Sequence, residues 1–396
     1  MSCYLHDLGV VNALGGDADS VLAALLDGRC PLTINHWVPG KTTYVAPVTI
    51  PLPQVPETLY PWRSRNLQLA LAAVRQLESA LTSAVARYGA DRVAVIAGTS
   101  TSGIDAGEQA LAQWVQSGER PADFHYRQQE IGNLAGLLAR HLGLSGPAYT
   151  LSTACSSSAH ALGAARRLLR HNLADAVITG GADSLCRLTL NGFAALESTS
   201  DSPVVPFSRN RKGINIGEGA AFFMISRDRE DSSAPIELLG VGASSDAHHI
   251  SAPDPEGKGA EAAIREALHQ AGVSPAEVSY VNLHGTGTPL NDAMEAAVIH
   301  RLFPHQPPCS SSKGQIGHTL GAAGANEAAI CWLLLTRGDG RLAPHLWDGT
   351  ADERLAPIHL VQPGDHLPQG RRRILLSNSF AFGGNNAAVL LGDSSP

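Results

Sequence analysis

The chain has 396 residues, 44% of them hydrophobic and 16% charged, with 40 glycines and a formal net charge of -7. That length suits two domains, or two halves of one large α/β unit, and the acidic balance excludes a broad electrostatic footprint for nucleic acid or an anionic membrane. The six scattered cysteines form no CxxC pair, no apolar run approaches bilayer length, and the N-terminus has no basic segment leading into an apolar one, so the expected setting is reduced and cytoplasmic.

In chain order, the Pro-rich stretch 45–62 reads as an irregular surface connection. "SRNLQLALAAVRQLESALTSA" (64–84) then predicts a helix, and "DRVAVIAG" (91–98) a short buried strand. Similar apolar runs recur as "DAVITGGA" (175–182), "AAFFMIS" (220–226), "VSYVNLHG" (278–285) and "RRILLSNS" (372–379), with "AEAAIREALHQAG" (260–272) helical between them. This alternation predicts parallel strands covered on both faces by helices. The final "GDSSP" reads as a frayed end.

A faint duplication underlies the order. "VAVIAGTSTSG" from Val93 resembles "VSYVNLHGTGTP" from Val278, and "LSTACSSSAHALGAARRLL" resembles "GQIGHTLGAAGANEAAICWLL" from Gly314. Two similarly folded halves, 1–230 and 231–396, are therefore expected to meet in the polar stretch "RDREDSSAPIE" and to share one site.

Several side chains stand where chemistry would be placed. Cys155 lies between an expected strand ending near Ala154 and a helix starting near Ser156, a position where unpaired helix N–H groups would favour a thiolate. The plainer reading is a buried thiol, and the other five cysteines keep that reading. His284 closes "VSYVNLH" ahead of "GTGTPLND". His318 follows Lys313 by five residues in "SSKGQIGHTLGAAGANEA", and Glu327 falls about two and a half turns into the next helix, facing back. His284, His318 and Glu327 would also serve as metal ligands, but no HExxH-like pairing accompanies them. His248 and His249 read as ordinary loop residues. Phe380 and Phe382 flank a turn sharpened by Gly383 and Gly384, either core aromatics beside a hairpin or a gate whose backbone N–H groups point into the site.

Taken together, "TACSSS", "GEGA" (217–220), "HGTGTPLND", "KGQIGHTLGAAGANE" and "NSFAFGGNNA" resemble the β-ketoacyl-[acyl carrier protein] synthases, elongating condensing enzymes of the thiolase superfamily. The resemblance implies a thiolase-like α/β fold, two βαβ-rich halves in a five-layer αβαβα sandwich, usually dimeric. It implies that Cys155 accepts an acyl chain from the phosphopantetheine arm of an acyl carrier protein, with no permanently bound cofactor or metal. His284 and His318 would then stabilise the enolate formed when malonyl-carrier protein loses carbon dioxide, Lys313 and Glu327 would organise them, and the N–H groups of Cys155 and Phe382 would hold the acyl oxyanion.

The chain also departs from the family. The gating turn reads "AFGG" where many members read GFGG, and Ala381 restricts φ where glycine does not. In "PFSRNRKGINIGEGA", Ser208 stands for an acid and Lys212-Gly213-Ile214 for Asp-Gly-Phe, a form that looks like specialised ketosynthases such as those of aryl polyene pathways. A carrier protein would need a basic patch, and "RSR" (63–65) and "RNRK" (209–212) are the candidates beside the plainer reading of solvated charge runs. The alternatives are the active half of a heterodimer with a chain-length-factor-like partner, or a coenzyme A thiolase.

Overall fold

The computed structural model describes residues 2–229, 235–337 and 339–393. In chain order its strands are β1 (Tyr4–Asn12), β2 (Thr33–Asn35), β3 (Thr43–Ala46), β4 (Val93–Gly98), β5 (Ala148–Leu151), β6 (Ala176–Asp183), β7 (Ile216–Gly217), β8 (Gly219–Ser226), β9 (Ile236–Ser245), β10 (Tyr280–Asn282), β11 (Cys309–Ser310), β12 (Ile374–Phe380) and β13 (Asn385–Asp393). Ten of them follow one another as β11-β10-β12-β13-β9-β1-β8-β6-β4-β5, while β2, β3 and β7 form a small separate sheet.

The long sheet consists of two groups of five that repeat one plan. From β1 outward, β8 and β6 each run antiparallel to the previous strand, then β4 and β5 run parallel. From β9 outward, β13, β12, β10 and β11 do the same. The groups pair where Tyr4 and Leu5 of β1 meet Glu237 and Ile236 of β9, with the Leu238 N–H donating to Cys3 O at 2.8 Å beside them. The sheet is thus mixed, and the expectation of parallel strands fails for "AAFFMIS", now β8, which is antiparallel to both neighbours. Its unbroken apolar run reports burial on both faces, which does not depend on strand direction. Phe222 packs into the outer core and Phe223 into the central one, each burial contributing about 1.5–3 kcal/mol.

Helices complete five layers. Arg65–Val74 and Asn133–Leu142 cover the outer face of the first group, and Lys258–Ala271 and Pro289–Leu302 that of the second. Between the groups lie Ser157–Arg170 and Ala323–Thr336. A helix enclosed on all sides cannot be amphipathic, and every residue from Ala323 to Leu335 is buried. The helix predicted over 64–84 is broken by a 3-10 turn at Arg75–Leu77. The 45–62 connection carries the end of β3 and the 3-10 turn Glu57–Trp62 and is otherwise irregular. The expected junction near residue 230 lies largely outside the described residues, as does the end of "GDSSP" beyond Asp393. Among the described residues no helix is long and apolar enough to cross a membrane.

Candidate active site

β5 ends at Leu151 and the first central helix begins at Ser157 with Ser156 as its N-cap, so Cys155 lies at the expected strand-helix joint, in a tight turn because the strand ends three residues earlier than expected. Ala154 supplies the reversal at φ 51, a left-handed conformation that a non-glycine residue adopts only when its surroundings enforce it. Ser157 Oγ donates to Ala154 O at 2.6 Å and accepts from Thr153 N at 2.9 Å, while Ser156 Oγ donates to Thr153 O at 2.8 Å. Ser158 Oγ accepts from Ala325 N at 2.9 Å, joining the turn to the second central helix.

The Cys155 side chain is 5% exposed, and the N–H groups of Phe382 and of Cys155 itself both bear on its sulfur. Burial nevertheless pushes the thiol up to about 12, outweighing these donors and the Lys313 charge. The expected ready thiolate is therefore not the resting state, because removal from water outweighs the pull of the helix start.

The histidines come from the second group of strands. Two residues beyond β10, the His284 N–H donates to Glu295 Oε1 at 2.8 Å and the Gly285 N–H to Glu295 Oε2 at 2.7 Å. Asp292, three residues earlier on the same helix, accepts from the Gly287 N–H at 3.2 Å. These two buried acids fold "HGTG" over the start of Pro289–Leu302. Burial pushes Glu295 up to about 7 against the N–H bonds that favour its charge.

Lys313 Nζ donates to Glu327 Oε1 at 2.5 Å and lies 3.5 Å from His284 Nδ1. Glu327 faces back as expected, but only one turn into its helix, since a 3-10 turn at Leu320–Ala322 precedes Ala323. The His318 ring stands edge-on to His284 with centroids 5.3 Å apart, and among the described residues neither of its nitrogens has a hydrogen-bond partner. Burial, then the Lys313 charge, lowers both imidazoles well below the usual histidine range, so both are neutral. The "GEGA" motif serves the same loop. The His318 peptide bonds to Asn215 O and to the Gly217 N–H, and a Cβ on Gly217 would sit 2.0 Å from Ile316 O.

Phe380 ends β12 and packs against His284, whereas Phe382 is half-buried in the turn to β13 with its ring 5.4 Å from that of Phe193. Gly383 and Gly384 hold φ of 83° and 78°, and Ala381 is not among the residues with positive φ. The alanine is thus accommodated without strain, since the left-handed positions of the turn are still glycines. Cys155, His284, His318, Phe380, Ala381 and Phe382 line one cavity of about 320 Å³, with Phe193, Lys212, Ile214 and Thr286 along its wall.

The basic runs are paired with acids, and in 209–212 Arg209 and Lys212 remain exposed while Arg211 is buried. Arg65 is tied to the buried Glu218, Arg63 to Asp123, Arg211 to the buried Asp352 and Lys212 to Asp201. Among the described residues no set of three or more His, Cys, Asp or Glu side chains is placed to hold a metal ion; Glu327 is engaged by Lys313 instead.

The N-terminal and C-terminal beta-ketoacyl synthase domain models match residues 64–231 and 236–346. The chain belongs to the β-ketoacyl synthase family. Among curated relatives of this condensing enzyme is 3-oxoacyl-[acyl-carrier-protein] synthase 2 of Coxiella burnetii, 32% identical over 97% of this chain and 96% of its own. A ketosynthase from Xenorhabdus doucetiae, solved in complex with its chain length factor, is 47% identical with a TM-score of 0.93, covering 99% of this chain and 98% of its own. The ishigamide ketosynthase/chain length factor matches at 29% identity and TM-score 0.85 over 99% and 98%. The fold of the synthase is accordingly the thiolase-like α/β sandwich.

Glu295, Asp292 and Phe193 escaped the sequence reading. Two acids three apart in the otherwise apolar "DAMEAAVI" stretch were the available signal for the first two. Phe193 carried none, as its role arises from contact with a turn nearly 190 residues away.

Proposed function

We propose that this chain is the catalytic ketosynthase of a carrier-protein-dependent elongation system, with Cys155 as nucleophile. The observation that carries this reading is the meeting, in one cavity, of Cys155 under two backbone N–H groups with two neutral imidazoles beside a buried Lys-Glu pair.

In acylation, Cys155 Sγ attacks the thioester carbonyl of an acyl chain on a carrier's phosphopantetheine arm; the thiol proton leaves with the pantetheine sulfur. The raised thiol makes a proton acceptor necessary, and the neutral His318, whose ring nitrogens have no hydrogen-bond partner among the described residues, is at hand. The Cys155 and Phe382 N–H groups hold the oxyanion. In the second stage malonyl-carrier protein loses carbon dioxide, and the electron pair of the broken C–C bond passes to the thioester enolate. Lys313, set against His284 Nδ1, leaves the imidazole proton on Nε2, so His284 donates from Nε2 and the unpartnered His318 donates beside it. The enolate carbon then attacks the Cys155 thioester, freeing the thiolate and releasing a β-ketoacyl-carrier protein two carbons longer. No permanently bound cofactor enters these steps.

Residues 1–230 and 231–396 are read as the two halves, supported by the repeated strand plan. The likeness to a ketosynthase solved with its chain length factor favours a heterodimer with a ketosynthase-like partner; the "GINIGEGA" form supports a specialised pathway such as aryl polyene synthesis, and the scattered cysteines a reduced, cytoplasmic setting. The test is intact-protein mass measurement of the wild type and Cys155→Ser after incubation with a panel of acyl-carrier proteins, with and without such a partner. A gain of one acyl group in the wild type alone is expected. No gain in any combination overturns the reading.

A further inference from the structure

A third buried histidine, outside the catalytic cavity, spans two segments that the reaction uses. His345 Nδ1 accepts the Ser311 N–H at 3.2 Å, and its Nε2 lies 3.0 Å from Pro206 O, to which it donates. Only a neutral imidazole accepts on one nitrogen and donates from the other. Burial lowers this ring to about 4, which keeps it neutral.

Each contact leads to the site. Ser311 Oγ donates to Gly285 O at 2.7 Å and accepts the Lys313 N–H at 3.2 Å, so the serine that His345 holds is fastened to both the His284 loop and the lysine turn. On the other side, Pro206 precedes Phe207, which is held at φ 60 with its N–H donating to Asp292 Oδ2 at 2.8 Å. That segment runs on to Lys212 and Ile214 in the cavity wall. The residues after His345 reinforce the tie. Asp348 accepts from Ser208 Oγ and Asn210 Nδ2, both at 2.7 Å, and Asp352 accepts from Arg211 Nη1 at 2.6 Å. An acid on this strap thus bonds to the serine that stands in place of the family's acid.

We propose that His345 is a positioning residue for the decarboxylating side of the site, tying the wall segment 206–214 to the turn that sets Lys313 against His284. The inference rests on the reading of the reaction given above. It separates the two stages, because the Cys155 turn hangs on Thr153, Ser157 and Ala325 and, among the described residues, shares no bond with the His345 chain.

The test compares His345→Leu, which removes both bonds, with His345→Gln, which keeps one donor and one acceptor, in the full chain together with any partner the wild type requires. Single-turnover acylation of Cys155 is followed by intact mass, and carbon dioxide release from malonyl-carrier protein by the acylated enzyme is followed separately. His345→Leu should acylate within about 3-fold of wild type and lose about 10- to 100-fold in decarboxylation, the scale expected when a reacting group is misplaced by a fraction of an ångström to one ångström. His345→Gln should recover part of that loss. Should His345→Leu fail to fold, His345→Gln alone must show a larger deficit in decarboxylation than in acylation. Equal deficits in the two stages, or none, overturn the proposal. A wild type that neither acylates nor decarboxylates overturns the underlying reading instead.

Discussion

Lys313 Nζ lies 2.5 Å from Glu327 Oε1, and both side chains are 1% exposed. The two are unequal partners, because a buried glutamate can neutralise itself by keeping a proton and burial already pushes Glu327 up to about 7. Glu327→Gln strands the Lys313 ammonium in a dry setting and should cost about 3–5 kcal/mol of stability. Lys313→Met should cost clearly less, although condensation falls in both. Chemical denaturation of the two variants decides this, and equal costs would refute the asymmetry.

Glu295 predicts a pH dependence of stability. Its folded-state value, about 7, lies above the 4.5 of an ordinary glutamate, so the folded chain holds a proton that the unfolded chain gives up. That contribution is complete below about 4.5 and declines as pH rises through about 7. The Tm gap between wild type and Glu295→Gln should therefore be widest near pH 4.5 and narrow toward pH 7.5. A gap that widens with pH contradicts the assignment.

The buried Cys155 thiol predicts slow alkylation that is steep in pH. With the thiol pushed up to about 12, the thiolate fraction, and with it the labelling rate, should rise about tenfold per pH unit between 7 and 9. Exposed Cys30 serves as the internal reference. A labelling rate at Cys155 that is already level at pH 7 would show a thiolate stabilised beyond what this cavity provides.

The gating turn should tolerate change at Ala381 and resist it at Gly384. Ala381→Gly adds only unfolded-chain freedom, about 0.5–1 kcal/mol, and should leave acylation near wild type. Gly384→Ala forces a side chain to φ 78 with its Cβ 3.0 Å from Asp246 Cβ, and should cost about 1–2 kcal/mol or more. Thermal melts and acylation rates of both variants test this. A faster gate in Ala381→Gly would revive the view that the alanine restrains opening.

Much of the architecture was legible because it is written in local signals. Apolar runs such as "VAVIAG" can lie only where both faces are covered, and the small-residue stretches "SSSAHALGAA" and "LGAAGANEAA" fit a layer enclosed by sheets. Cys155, His284, Lys313, His318, Glu327 and Phe382 were nameable because each sits in a short motif at the end of an element. Strand direction was not legible, since β8 buries both faces whichever way it runs.

By itself the sequence determined which groups the site contains: the nucleophile, the two imidazoles, the lysine with its glutamate, and the turn glycines. Only the tertiary structure decided their chemical state. Folding raises the thiol by removing it from water, against the pull of Lys313, and keeps the imidazoles neutral by removing them from water and setting Lys313 beside them. The acids holding the His284 loop and the histidine joining Pro206 to Ser311 likewise depend on contacts that exist only once distant segments are packed together. Desolvation and long-range hydrogen bonds are properties of the packed interior, and no short stretch of residues encodes them alone.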